Sequence, residues 1–417
     1  MKIEMKEIFA EIITIGDEIL FGQITDTNSQ WISAELDKIG IKTRRKTSVS
    51  DKEPEIVAAL KEAEARVDIV LMTGGLGPTK DDLTKGVLAR YFNVGLERDE
   101  VTYNEVKNYF EKRGRVFDEL NWGQADIPSN CTRVQNKYGT APGMWFEENG
   151  TVYVSMPGVP YEMKAMITDT VLQKLKEKYA LPAIHHKMIR TVGIGESWLA
   201  DKISDWEDNL PEHMKLAYLP GMWQVRLRLT GVGTNKEELE KEIEAEFSKV
   251  FPIIEQYIFG YENTELEEAV GSLLSAKKLT IGFAESCTGG YISHLITSIP
   301  GSSRYMAGSI VAYSNEVKTK QLGVNPETLE KHGAVSEETA IEMARGVRKK
   351  LGTDIGFSST GIAGPSGGSE EKPVGTIWLA FSSKEKTKTI KLNLGGTREL
   401  NIKYSAVNAL NLIRLSL

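Results

Sequence analysis

Two cysteines and five histidines in 417 residues are too few for a disulfide framework or a zinc cluster. Cys131 and Cys287 lie in different regions, so neither reads as half of a bridge or as a metal ligand. No apolar run approaches the length that spans a bilayer, which argues against a membrane partner. The opening MKIEMKEIFAEI alternates charges where a signal peptide would be apolar. A reducing cytoplasm is therefore the expected compartment. Lysine and arginine number 51 against 58 for aspartate and glutamate, a net charge of −7. That balance leaves no basic stripe, and direct nucleic-acid binding is not expected. No repeat period or low-complexity tract is visible.

What is present is an ordinary globular composition, 41% hydrophobic and 26% charged. The chain is too long for one core, and its patterning divides it into residues 1–172, 173–258 and 259–417. In the first, expected strands at 8–15, 42–49 and 68–72 alternate with expected helices at 29–39 and 54–66. That alternation predicts a three-layer α/β unit whose parallel sheet is covered on both faces. The second reads as a small α+β insert with a hairpin around Pro220-Gly221, serving as a spacer or a dimer contact, so a homodimer is expected. His185 and His186 there read as a solvated strand edge. The third is again α/β with a mixed sheet, opening on Thr264-Glu265-Leu266-Glu267, a capping-box pattern.

The most informative stretch is Glu285-Ser286-Cys287-Thr288-Gly289-Gly290, between an expected strand (279–284) and an expected helix (291–299). A strand-to-helix turn exposes backbone N–H groups that can steady a phosphate or a developing oxyanion, and glycines let a ligand approach closely. A plain helix N-cap is the alternative, since serine favours that position. Two further segments fall at expected strand ends: AYSNEVK (312–318) and STGIAGPSGG (359–368), the latter holding Thr360, Gly361 and Gly364. Ligands of open α/β sheets bind beyond such ends. Cys287 cannot pair with His294, because seven helical residues rise about 10 Å. His332 could reach it only if the fold returned it. Ser286 with Lys318 is the better pair: a neutral lysine can take a serine proton, with Tyr313 relaying it or positioning the amine. Such a lysine needs its pKa brought well down by burial or dipoles. Lys318 as a solvated helix residue and Tyr313 as a strand anchor remain the plain alternatives.

AESCTGG, VAYSNEVK, HGAVS and STGIAGPSGGSEEKPVGTIW, in that order, closely resemble the C-terminal domain of the CinA family, the nicotinamide mononucleotide (NMN) deamidases. The resemblance implies hydrolysis of the nicotinamide carboxamide, giving nicotinic acid mononucleotide and ammonia without a cofactor. It makes Ser286 the nucleophile, Lys318 the base and Tyr313 its assistant. Glu285, Cys287, Thr288, Gly289, Gly290, Thr360, Gly361 and Gly364 would then surround the substrate. The N–H groups of Cys287 and Thr288, or of Gly361, are the candidate oxyanion donors. Arg398, after Gly395-Gly396 at the start of the last helix, is the candidate phosphate ligand or else a surface arginine.

In the first domain TIGDEILFGQITDTNSQW sets Asp17, Glu18, Asp26 and Asn28 in an expected loop after the first strand. MTGGLGPTKDDLTK sets Gly74, Gly75, Gly77, Thr79, Asp81 and Asp82 after another. Glycine turns can hold a diphosphate, and carboxylates can hold Mg²⁺ or a similar divalent metal against it, with Asp17, Asp81 and Asp82 as candidate ligands. TGGLGPTKDD with the GDEIL start and MPGVPYEM resembles the molybdopterin-binding fold of MoaB, MogA and gephyrin in its CinA variant. In full-length CinA proteins that domain is linked with metal-dependent ADP-ribose pyrophosphatase activity. The resemblance thus implies a two-activity enzyme of pyridine nucleotide salvage. A non-catalytic ligand-binding or dimerisation module, or an accessory to DNA uptake, are the alternatives.

Overall fold

The computed structural model describes residues 6–79 and 82–417; Asp81 lies outside the described residues. The chain forms two compact units. One runs to His185 and takes in Val232–Glu240; the other holds His186–Gly231 and Lys241–Leu417. Among the described residues no helix is long and apolar enough to cross a membrane.

The first unit is built on strands β1 (Ile8–Ile15), β2 (Ile41–Val49), β3 (Ile69–Thr73), β4 (Leu96–Arg98), β5 (Asp126–Pro128), β6 (Thr132–Val134), β7 (Gly143–Glu148) and β8 (Thr151–Met156). Six of them form one sheet in the order β2-β1-β3-β8-β7-β6. β3 reads Ile-Val-Leu-Met-Thr and is buried throughout, the continuous apolar run of a strand covered on both faces. Successive residues serve opposite cores: Ile12, Leu71 and Val154 pack with Leu36 and Met163, whereas Ile13, Met72 and Tyr153 pack with Leu60 and Phe146. The sheet is parallel from β2 to β8 but antiparallel at β7 and β6. Asn149 and Gly150, both at positive φ, make the tight β7–β8 turn that reverses the chain. The expected all-parallel sheet is corrected to this extent. Helices Asp17–Leu20 and Thr27–Lys38 replace the expected loop after β1. Asp26 caps the second, accepting the Ser29 N–H at 2.9 Å.

Beginning at the end of the first unit and falling mostly in the second, β9 (Ala183–Val192), helix Glu196–Asp208, β10 (Met214–Gly221), β11 (Gln224–Gly233), helix Lys236–Ile254 and β12 (Ile258–Tyr261) follow one another as β-α-β-β-α-β. Their order β10-β11-β9-β12 is that of a ferredoxin-like split β-α-β arrangement. β9 lies between β11 and β12, and His186 is half-buried with Nδ1 2.8 Å from Thr230 Oγ1, so it is no solvated edge.

The rest of this unit holds β13 (Ile281–Glu285), β14 (Met306–Val311), β15 (Ile355–Gly361), β16 (Thr376–Ser382) and β17 (Thr387–Asn393), in the order β14-β13-β15-β16-β17. β13 is parallel to β14 and β15, while β16 and β17 add antiparallel strands: a mixed sheet. Phe283, Phe357 and Phe381 pack on one face with Leu274 and Ile413 of flanking helices; Ala284, Met343 and Val347 fill the other. The expected capping box is displaced. Helix Leu266–Lys277 takes Glu265 as its N-cap without a side-chain bond, because Arg190 claims both the Thr264 carbonyl (2.7 Å) and the Glu265 carboxylate (2.9 and 3.0 Å).

Candidate active site

β13 ends at Glu285, and its neighbours shape the turn that follows. The Ser286 N–H donates to the Ser359 carbonyl at 2.9 Å, and the Ala312 N–H to the Glu285 carbonyl at 2.8 Å. The chain then turns through Gly289 and Gly290, both at positive φ, into helix Tyr291–Thr297. The Glu285 side chain, wholly buried, organises this turn. Its carboxylate accepts from the Thr288 hydroxyl (2.7 Å), the N–H groups of Gly290 (3.0 Å), Ile292 (3.1 Å) and Ser293 (2.8 Å), and the Ser293 hydroxyl. These are the otherwise unpaired donors of a helix start. Glu285, expected against the substrate, is occupied in building the turn instead.

After β14 the chain enters helix Asn315–Leu322, capped by Ser314, whose Oγ accepts the Val317 N–H at 3.2 Å. Side chains of a helix lean towards its N-terminus, so Lys318 reaches back over its own start. Its amine lies 3.0 Å from Ser286 Oγ, and donates to the Ala312 carbonyl at 2.8 Å and the Tyr313 carbonyl at 3.4 Å. Lys318 is 1% exposed and Ser286 7%. Burial holds the lysine pKa below its ordinary value. The positive end of its own helix acts in the same sense, and no carboxylate acts on its charge among the described residues. The amine is placed to donate to the two carbonyls and to Ser286 Oγ, and on losing a proton it can keep both carbonyl bonds while its lone pair accepts from the Ser286 hydroxyl.

The thiol beside it is poorly placed for the same work. Burial pushes the Cys287 pKa up to about 12, so at neutral pH it stays protonated. His332 Nδ1 faces Glu338 at 3.3 Å and His294 stacks on Tyr291, so neither histidine serves Cys287. The Tyr313 side chain does not reach Lys318; it is exposed, and its hydroxyl accepts from Arg398 at 3.0 Å. Arg398 also donates to the Gly364 carbonyl at 2.9 Å, which brings Tyr313, Gly364 and Arg398 together. Thr288 Oγ1 sits 2.6 Å from Ser359 Oγ, and Thr360 donates to the Ala334 carbonyl at 2.6 Å. Gly361 belongs to β15, and a Cβ there would lie 2.5 Å from Ile377 Cγ1; its lack of a side chain serves strand packing. The N–H groups of Cys287 and Thr288 go to no protein acceptor among the described residues. Two contributors escaped the sequence: the Ala312 carbonyl, which carries no side-chain signature, and Asn401. The latter donates to the carbonyls of Ala363 and Gly396, both at 3.0 Å, and so ties the glycine-rich loop to the last helix.

The first unit carries a separate cavity of about 520 Å³ at the strand ends, lined among others by Glu18, Asp26, Asn28, Gly74, Asp82 and Gln124. Gly75 and Gly77 line it too, and a Cβ at Gly74 would strike the Ile15 carbonyl. Asp82 accepts the Thr79 N–H at 2.9 Å and its hydroxyl, which closes the glycine turn. Asp17 stands outside the lining; its N–H is held by Asp51 at 3.0 Å. The buried amide oxygens of Asn28 and Gln124 have no protein partner among the described residues. Among the described residues no three Asp, Glu, His or Cys side chains gather closely enough to hold a metal ion, so a preformed cage does not fit this cavity.

Comparison with known proteins bears on all three parts. Family profiles match residues 11–177 (probable molybdopterin binding domain), 186–260 (damage-inducible protein CinA KH domain) and 263–417 (CinA C-terminal domain). A CinA-like protein of Cytophaga hutchinsonii is 56% identical over 410 residues, covering 98% of either chain. A CinA-like protein of Flavobacterium psychrophilum is 45% identical over 414 residues, 97% of either. The crystal structure of a CinA protein with unknown function from Thermoplasma acidophilum aligns at 34% identity and TM-score 0.37, covering 40% of this chain and 98% of its own.

Proposed function

This chain belongs to the CinA family, and we propose that its C-terminal domain hydrolyses NMN to nicotinic acid mononucleotide and ammonia. The observation that carries this reading is the buried Lys318 amine, 3.0 Å from Ser286 Oγ and facing only carbonyls otherwise. Ser286 Oγ attacks the carboxamide carbon as Lys318 takes its proton. The oxyanion of the tetrahedral intermediate accepts from the free N–H groups of Cys287 and Thr288. The Lys318 ammonium then protonates the leaving nitrogen, the C–N bond breaks, and ammonia departs from an acyl-serine ester. Water attacks this ester, giving its proton to Lys318, and the lysine returns it to Ser286 as the acid leaves. Arg398, drawn to this side by Tyr313 and Gly364, is the cation for the substrate phosphate. Product analysis tests the reading: NMN should yield nicotinic acid mononucleotide and ammonia in equal amounts. Free nicotinamide with ribose phosphate would mean cleavage of the glycosidic bond and would overturn it.

Cys287→Ala should keep most of this activity, within about fivefold, because its thiol stays protonated and only its N–H is used. An ammonia assay showing near-total loss would move the nucleophile to sulfur.

For the N-terminal domain we propose cleavage of ADP-ribose, supported by the glycine turn, the acidic rim and the two unpartnered amide oxygens. Those oxygens call for a ligand rich in donors, as ribose hydroxyls are. Since no cage is preformed among the described residues, a divalent cation would come with the diphosphate, which supplies ligands beside one or two carboxylates. Asp82→Ala opens the glycine turn and should slow metal-dependent release of AMP from ADP-ribose by about tenfold or more. No AMP from the unaltered protein would instead make this domain a binding module.

A further inference from the structure

A second cleft in the C-terminal unit, about 720 Å³, is walled by four aromatic side chains: Trp198, Trp223, Tyr257 and Tyr404. None of the residues bonded around Ser286 and Lys318 lines it. Its volume and its mixture of aromatic walls with a few polar groups match a small-molecule site. Two of its walls are held in place at some cost. Trp198 is 70% exposed, yet its ring is seated: a Cβ at Gly195 would lie 2.9 Å from Trp198 Cε3, so only glycine lets the indole lie against the main chain. Trp223, at the β10–β11 turn, sits at φ +58, a left-handed conformation that a bulky residue adopts only under constraint. It is 46% exposed and meets the Tyr404 ring edge-on at 5.1 Å, which joins the hairpin to the terminal helix Arg398–Ser416. Leaving two indoles in water is unfavourable, and fixed aromatic faces are the surface on which a planar ring stacks. The hydroxyls of Tyr257 and Tyr404 have no protein partner among the described residues, and Asp201 and Lys202 stand at the rim, so a ring bearing heteroatoms is favoured over a plain hydrocarbon.

We propose that this cleft binds a planar nitrogen heteroaromatic ring, at a ligand site separate from the first-unit cavity and from the Ser286–Lys318 pair. The inference does not depend on the deamidase reading. Adenine and pyridine rings share the required chemistry, and two arms of one experiment separate them. Tryptophan emission of the full chain is followed while adenosine, or in a parallel series nicotinic acid, is added. A saturable quench with either compound is expected, and the compound giving it identifies the ring. In Trp198→Ala, whose exposed side chain can be removed without disturbing the core, the quench should shrink and the affinity fall about tenfold. Ammonia release from NMN without either compound should stay unchanged in that variant. Emission unresponsive to both compounds would overturn the proposal, as would an undiminished quench in Trp198→Ala.

Discussion

Ser286→Ala should release ammonia from NMN on the order of 10⁴-fold more slowly than the unaltered chain, or slower still. The size follows from what is lost and what remains. Without the hydroxyl there is no atom to form the acyl ester, and the buried thiol next to it, its pKa pushed up to about 12, cannot substitute. Substrate binding and the free N–H groups of the turn persist, which leaves a small residual rate. The fold should be undisturbed, because the turn is held by Glu285 and by the Ser286 N–H, neither of which the substitution touches. Thermal unfolding within a few degrees of the unaltered chain, together with the lost ammonia, is the expected pair of readings. Retained activity would remove Ser286 from the reaction.

Lys318→Met should cost about 10²–10⁴-fold in the same assay, the range of a general base. High pH should give no rescue, since the base itself is absent. The unaltered enzyme is expected to lose kcat/KM about tenfold per pH unit below the lowered pKa of Lys318, as the amine becomes an ammonium that cannot accept a proton. Stability carries the same signature. Between the folded pKa and the unfolded value of about 10.4 the unfolded chain binds more protons, so the stability of the unaltered protein rises with pH through that window. Methionine removes this rise. It also leaves the carbonyls of Ala312 and Tyr313 without a donor, a loss of about 1–3 kcal/mol that relief from burying an amine offsets in part. Equal pH dependence of unfolding in the two proteins would show that Lys318 is not buried neutral.

The order of elements was open to reading because it rests on local patterns. The unbroken apolar run of β3 and the alternating strands and helices each declare themselves over a few residues. The pairing of Ser286 with Lys318 is of another kind. The two lie 32 positions apart, and only the parallel pairing of β13 with β14 brings their turn and helix together. Residue chemistry and resemblance suggested the pair, whereas the burial that lowers the lysine pKa and the carbonyls that fix its amine have no mark in the sequence. Glu285 looked like a ligand because a carboxylate beside a nucleophile often is one, and five donors of the turn claim it instead. Gly361 was expected beside the substrate, but its neighbour across the sheet, Ile377, accounts for its lack of a side chain. The N-cap falls at Glu265 and not at Thr264, and Arg190, 75 residues away in sequence, holds the Glu265 carboxylate. In the last two cases a partner distant in sequence overrode a local preference.

Ammonia release measured side by side on NMN, nicotinamide and glutamine tests the central claim most directly. Turnover of NMN, with the other two amides left intact, is the predicted result, since the Ser286 hydroxyl needs a carboxamide held in place through its phosphate. An unaltered, folded chain that frees no ammonia from NMN, or frees it equally from glutamine, would contradict the account.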